Sequence, residues 1–303
     1  MLNLRQIRSF IAVYEEGSFT RAAARENATQ SGVSQHVSAL EETLATPLFD
    51  RRPGGIVPTH AGRLFYARAI TALRNLDAGV SEVRASHGGL SGEVRAGLMP
   101  SFTRAALAPA LESFMADHPQ VRLEVIEGYS GALSDMVRAG SIDFALVPAG
   151  VVVTGLDQSP IARDREMLVT APDFAPTAGL AHLAPVRLAA LGPLRVVVPG
   201  HANVRRARLD AYFAAQGITL AAVLEMDSML GTLELVARSD WVAVLPGIIC
   251  AGDADGRNRR VHPLIEPDLR SDFVLIEPAR AAMSPAARAF VAALRREIDR
   301  LLS

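Results

Sequence analysis

The apolar residues of this 303-residue chain follow three successive rhythms. Up to about residue 45 they recur every third or fourth position. Leu4, Ile7, Ile11 and Tyr14 mark one face of a first helix, which Gly17 ends. Ser18 caps a short second helix whose Phe19, Ala22 and Ala23 point inward, and after a turn around Asn27 and Ala28, Thr29 caps a third. Val33, Val37 and Leu40 form its stripe, while its other side carries Ser31, Ser34, Gln35 and Ser38 without a charge. Two short helices joined by a tight turn make a helix-turn-helix pattern.

The second rhythm follows a break. Pro53, Gly54, Gly55 and Pro58 forbid regular helix, so Leu48 to Thr59 reads as a short β-hairpin, a wing carrying Arg51 and Arg52. From Thr59 a helical pattern runs to about Ala85, with Tyr66, Ala69, Leu73, Leu76, Val80 and Val83 spaced by alternating threes and fours. Heptad spacing over three repeats points to a partner helix and hence a homodimer, the alternative being a helix packed on its own domain. HGGLSG at 87–92 ends it as a flexible joint.

Beyond residue 92 strands and helices alternate. EVRAGL (93–98), VRLEVIE (121–127) and DFALV (143–147) read as strands, separated by helices from about Phe102 to Ala116 and Gly131 to Ala139. LRVVV (194–198), LAAVLEM (220–226) and WVAVL (241–245) repeat the theme, with helices near 204–215 and 228–238. A late strand, SDFVLIEP, and an amphipathic terminal helix fold back on the first unit. Two tandem α/β units place a cleft between them.

Composition narrows the classes. Half of the residues are hydrophobic, enough for sizeable cores in two or three domains. Arg5 and Arg8 sit where a signal peptide needs its apolar stretch, and no run approaches the ~18–20 apolar residues of a membrane span, so the expectation is a cytoplasmic protein with no membrane partner. The single Cys250 cannot form an internal disulfide and reads as a buried thiol. Net charge is −1 overall, divided as +2 over residues 1–90 and −3 over 91–303. All 31 basic residues are Arg, so phosphate contacts fall to guanidinium groups, hydroxyls and helix N-termini, and Schiff-base or phosphate-loop lysines are excluded. No G-x-G-x-x-G, C-x-x-C or H-E-x-x-H occurs, GYSG at 128–131 lacks the second spacing of a nucleophile elbow, and seven scattered histidines make no metal site; neither cofactor nor catalytic residue is expected.

SFTRAAARENATQSGVSQHVSALEETLATPLFDRRPGGIVPTHAG carries, in order, F-[ST]-x-A-A, [ST]-Q-x-x-[VL]-S, L-E-x-x-L, P-L-F-[DE]-R and T-x-x-G. In these five motifs the chain resembles the LysR-type transcriptional regulators. The resemblance implies an α/β architecture: an N-terminal winged helix-turn-helix, a long dimerisation helix, and two Rossmann-like α/β subdomains of periplasmic-binding-protein type whose cleft binds a small effector. The domains are then 1–58, the linker helix and hinge 59–90, and the effector-binding region 91–303, with subdomain I at about 91–160 and 267–303 and subdomain II at about 161–266. It also implies assembly of homodimers into a homotetramer. Glu26 stands where the family usually has Leu, Gln35 where a base-reading Arg is frequent, and Gly54 where the wing usually carries a basic residue.

An uncharged face suits base edges in the major groove of a double-stranded DNA operator. Gln30 and Gln35 can pair bidentately with adenine, Ser31 and Ser34 can donate or accept, and Arg5, Arg52 and Arg63 supply phosphate contacts. His36, nearer the apolar stripe, reads as structural. For the effector, Ser101, Phe102 and Thr103 begin one helix at a strand end, Ser130 opens the next, His201 and Asn203 a third, and Met226 with Asp227 ends a strand. Helix starts favour an anionic or polar small molecule, although each of these hydroxyls and amides also serves as an N-cap. The competing readings are a DNA-binding repressor without effector, a solute-binding protein, and an enzyme on the tandem α/β unit.

Overall fold

A computed structural model describes residues 2–303 apart from 53–54, 151–154, 202 and 280–281; for 51, 52, 55, 74, 78, 81, 82 and 84–88 it describes the backbone alone. Asn3 starts α1 (Leu4–Glu16) by accepting from the Arg5 N–H and donating its own N–H to Gln6, and Gly17 ends it at φ 57°. In α2 (Phe19–Arg25) and α3 (Gln30–Leu44), Ala22, Val33 and Leu40 are fully buried against Phe10 and Val13 of α1. The short β1 (Phe49–Arg52) and β2 (Gly55–Pro58) pair antiparallel, Phe49 opposite Pro58.

The quoted motifs each have a mechanical role. Glu41 of L-E-x-x-L accepts the Leu48 and Phe49 N–H groups at 2.7 and 3.1 Å, tying α3 to the start of the wing. Leu48 and Phe49 are buried, and Phe49 packs against the Phe10 ring at 5.3 Å. Thr59 donates to the Pro47 carbonyl and accepts from the Gly62 N–H. A Cβ on Gly62 would lie 2.2 Å from the Leu48 carbonyl oxygen, so only glycine lets α4 (His60–Gly88) begin there.

The apolar stripe of α4 divides in two. Ala69 and Ile70 are buried, and Tyr66 and Leu73 pack on the same core, with the Tyr66 and Tyr14 rings stacked at 3.9 Å. Leu76, Val80 and Val83 stand 48–65% exposed. The expected partner-helix stripe is therefore half intradomain packing. Met1–Val83, with Ala139–Ser141, forms one compact unit; Arg84–Arg138 and Ile142–Ser303 form the other.

In the second unit β3 (Gly92–Leu98) lies between β4 (Val121–Glu127) and β5 (Phe144–Pro148), both parallel to it. A helical segment between β3 and β4 starts at Pro100, two residues earlier than expected, and consists of α5 (Pro100–Phe102), a π-turn (Thr103–Leu107) and α6 (Ala108–Asp117). α7 (Ser130–Arg138) joins β4 to β5. Next comes a strand that periodicity did not reveal, β6 (Leu156–Thr170), antiparallel first to the late strand and then to a strand of the second subdomain. Its Ile161 belongs to the first core and its Leu168 to the second.

The second subdomain repeats the first: β7 (Leu194–Val198), α8 (Val204–Ala215), β8 (Leu220–Glu225), α9 (Met229–Ala237) and β9 (Trp241–Pro246), with β7 parallel to both neighbours. A 3₁₀ turn, Gly247–Asp253, and the short β10 (Arg260–Pro263), paired with β6, lead to β11 (Arg270–Pro278), which recrosses to β5, and to α10 (Pro285–Leu302). Phe290, Leu294 and Ile298 bury α10 in the first core. The sheet order is β4-β3-β5-β11-β6-β9-β7-β8, two parallel halves joined by antiparallel crossing strands.

Candidate nucleic-acid interface and effector cleft

On α3 the stripe anchors the helix and leaves a free face. Gln30, Ser31, Gln35 and Ser38 are exposed and Ser34 half-buried. Among the described residues the side chains of Gln30, Ser34 and Gln35 make no hydrogen bond, and Ser31 only approaches the Thr29 hydroxyl at 3.3 Å. His36 is different: its Nδ1 lies 2.9 Å from the hydroxyl of buried Ser9, a structural bond between α3 and α1. Arg5 is exposed without an ion pair among the described residues. Arg63 donates to the Pro58 carbonyl at 2.8 Å, so its guanidinium is oriented by the base of the wing. Arg52 ends β1, but its side chain, like the whole of Gly54, lies outside the described residues. Arg25, by contrast, is held by Glu15 at 2.5 Å.

The two subdomains leave their parallel strands in the same way. Gly128 donates to the Leu98 carbonyl and Met226 to the Val198 carbonyl, at 3.1 and 2.9 Å, so the β4–α7 and β8–α9 loops occupy equivalent positions. These loops meet: the Tyr129 hydroxyl donates to the Asp227 carbonyl at 2.9 Å across the cleft. On the hinge side Arg104, in the π-turn, donates to the Ile249 carbonyl at 2.5 Å and lies 3.2 Å from Asp253, which Arg259 holds at 2.7 Å from beneath.

The expected effector residues separate into distinct environments. Ser101 is 2% exposed, and its hydroxyl has no hydrogen-bond partner among the described residues. Phe102 does not face the cleft; it is fully buried, edge-on to Phe273 at 5.0 Å, because the start of the helix at Pro100 turns it into the core. The Thr103 hydroxyl donates to the Glu127 carboxylate and also lies 3.1 Å from the Pro100 carbonyl. Ser130 is buried at the start of α7. Asn203 caps α8 through the Arg205 N–H at 3.0 Å, and Met226 is half-buried against a further apolar cluster of the second subdomain that includes Val197 and Leu233. His201, largely exposed, lies 3.2 Å from Glu225.

Sequence reasoning singled out neither Glu127 nor Tyr129, although both lie at the β4 terminus that it located. Asp227 accepts from the Gly200 N–H at 3.0 Å, and a Cβ on Gly200 would lie 2.5 Å from the other carboxylate oxygen. Burial raises the Tyr129 pKa, and the charges of Asp227 and Glu127 raise it further. Cys250 is buried against the Pro246 carbonyl, and burial pushes its thiol up, away from reactivity.

Comparison with known proteins agrees with this division. Residues 4–63 match the family described as bacterial regulatory helix-turn-helix protein, lysR family, and residues 87–299 match the LysR substrate binding domain. The chain is 26% identical to the nitrogen assimilation regulatory protein nac of Klebsiella aerogenes, over 95% of this chain and 92% of the relative. It is 31% identical to the HTH-type transcriptional regulator GalR of Pseudomonas putida, over 98% and 75% respectively. Its fold resembles a full-length OxyR variant from Pseudomonas aeruginosa, with a TM-score of 0.77 at 20% identity covering 100% and 96% of the two chains. It also resembles full-length CbnR complexed with its target DNA, with a TM-score of 0.63 at 21% identity covering 97% and 99%. With a DNA-binding domain and an effector-binding domain both matched, the chain is not an enzyme but a DNA-binding transcriptional regulator, and it belongs to the LysR family.

Proposed function

We propose that α3 enters the major groove of an operator and reads bases through Gln30, Ser31, Ser34 and Gln35, while Arg5, Arg52 and Arg63 contact phosphates. The observation that carries this reading is the exposed, uncharged and largely unbonded polar face on a helix anchored by buried Val33, Val37 and Leu40. Base edges offer donors and acceptors that such a face satisfies without desolvating a charge. Gln35→Ala lowers discrimination at one base position by about 1–3 kcal/mol, whereas Arg52→Ala weakens binding to all duplexes alike. Gel shifts on matched and substituted operators separate the two; a uniform loss in both variants removes Gln35 from base reading.

The exposed half of α4 supports a homodimer, and pairing of dimers through the α/β units a homotetramer. Leu73 packs on its own domain, so the informative substitutions are Leu76→Asp and Val80→Asp. Together they reduce the assembled mass measured by light scattering while the circular dichroism of the domain is retained; unchanged mass places the interface elsewhere.

A small polar effector occupies the cleft between the α/β subdomains, near Ser101, Thr103, Ser130, His201 and Asn203, and biases the arrangement of paired DNA-binding domains. Coupling requires that the effector bind one assembly more tightly than the other, so effector affinity differs with and without operator.

A further inference from the structure

The described charges around the cleft are not evenly engaged. Each nearby guanidinium is taken up. Arg104 is paired with Asp253, and Arg206 is gripped by Asp210 at 2.9 Å and Glu225 at 2.7 Å while also donating to the Pro199 carbonyl. His201 also leans on Glu225. The two carboxylates that flank Tyr129 are in the opposite condition. Glu127 receives only the Thr103 hydroxyl and Asp227 the Gly200 N–H, and among the described residues neither has an ion-pair partner.

A second, independent feature lies on α5, the short helix that follows β3 and precedes Thr103. α5 packs against the Gly247–Asp253 turn of the opposite subdomain, and Ser101 of α5 is 2% exposed, yet its hydroxyl is left without a partner among the described residues. A buried hydroxyl without a partner carries a desolvation cost that a bound polar group removes.

From these arrangements we infer that the effector carries an aliphatic ammonium group, which Glu127 and Asp227 bind from opposite subdomains while Ser101 takes a second polar atom of the same molecule. The inference rests on the cleft being the effector site. A simple dicarboxylate would meet two uncompensated like charges there and no described guanidinium free to receive it, whereas an ammonium supplies three donors to two carboxylates already oriented by Thr103 and Gly200. Because the carboxylates belong to different subdomains, the cation also favours the closed cleft in which Tyr129 reaches Asp227.

The test uses the full-length protein and thermal shift with three probes: putrescine, L-ornithine and succinate. Both amines raise the melting temperature, with ornithine separating an amino-acid ligand from a plain diamine, and succinate does not. Glu127→Gln and Asp227→Asn keep the acceptors for Thr103 and Gly200 but each weakens amine binding about 10- to 100-fold, measured by calorimetry. Stabilisation by succinate alone, abolished by Ser101→Val, overturns the ammonium inference and keeps the cleft as the site. Amine binding unchanged in both carboxylate variants also overturns it, and the absence of a shift with all three probes counts against both statements.

Discussion

Thr29 and Asn203 cap two helices in the same way, through a side-chain oxygen that accepts a backbone N–H, but the helices they open differ. Behind Thr29 the outward residues of α3 remain exposed and almost unbonded. Behind Asn203, Arg205 and Arg206 are buried and fixed by Glu166, Glu225 and Asp210. A polar residue in a packed α/β unit is first consumed by its own helix and by the charges under it. On α3 the fold leaves polar groups over, and the cleft residues inferred above to hold a ligand, Ser101, Glu127 and Asp227, are likewise ones that the helix caps do not use.

The contrast is broken most severely at Asp253. Its carboxylate is almost wholly buried between Arg104 and Arg259, so Asp253→Ala leaves two poorly solvated cations and costs about 3 kcal/mol, less than a fully buried pair because Arg104 is part-exposed. Asp240→Ala, which removes the partner of exposed Arg195, costs under about 1 kcal/mol. Urea denaturation of the two variants measures how far engagement in the interior exceeds engagement at the surface.

Asp164 sharpens the comparison through pH. Burial pushes its carboxyl up to about 6, despite bonds from the Ile248 and Arg165 N–H groups. A folded pKa above the unfolded value of about 4 means that the stabilising contribution is complete below pH 4 and is lost as pH rises through 6. Asp164→Asn is therefore without a charge-related gain at pH 4 and more stable than the natural protein by about 2 kcal/mol at pH 8. Buried His262, whose pKa burial lowers, works in the opposite sense: its contribution is present above about pH 6.5 and lost below, and it cancels when variant and natural protein are compared at each pH. Denaturation midpoints across that range give the difference directly.

The smallest effect distinguishes a cap from a reader. Asn203→Ala lowers stability by about 1 kcal/mol through loss of the N-cap, with DNA affinity unchanged. Gln30→Ala leaves stability within about 0.5 kcal/mol and changes operator affinity instead. Melting curves and gel shifts on both variants check the pair; a stability loss in Gln30→Ala equal to that in Asn203→Ala places Gln30 among the structural residues.

Local chemistry written in the chain determined the helix-turn-helix, the wing, the parallel strands and their helices, because caps, glycines and apolar periods act over a few residues. It also separated His36 from its polar neighbours by helical angle. Strand β6 was hidden, since Pro160 and the run Arg163–Glu166 look like a loop until Asp164 finds the Ile248 N–H and Glu166 finds Arg205 and Ser271, all more than 30 residues away. The same distance problem governed the site. Phe102 turned inward because of Pro100 and Phe273, and the α4 stripe divided where the core of the N-terminal unit ran out. Tyr129 and Asp227 met only because the fold brings together two loops 98 residues apart. Spacing along the chain sets which face a residue occupies, but burial and partnering depend on surfaces that only the tertiary fold brings together.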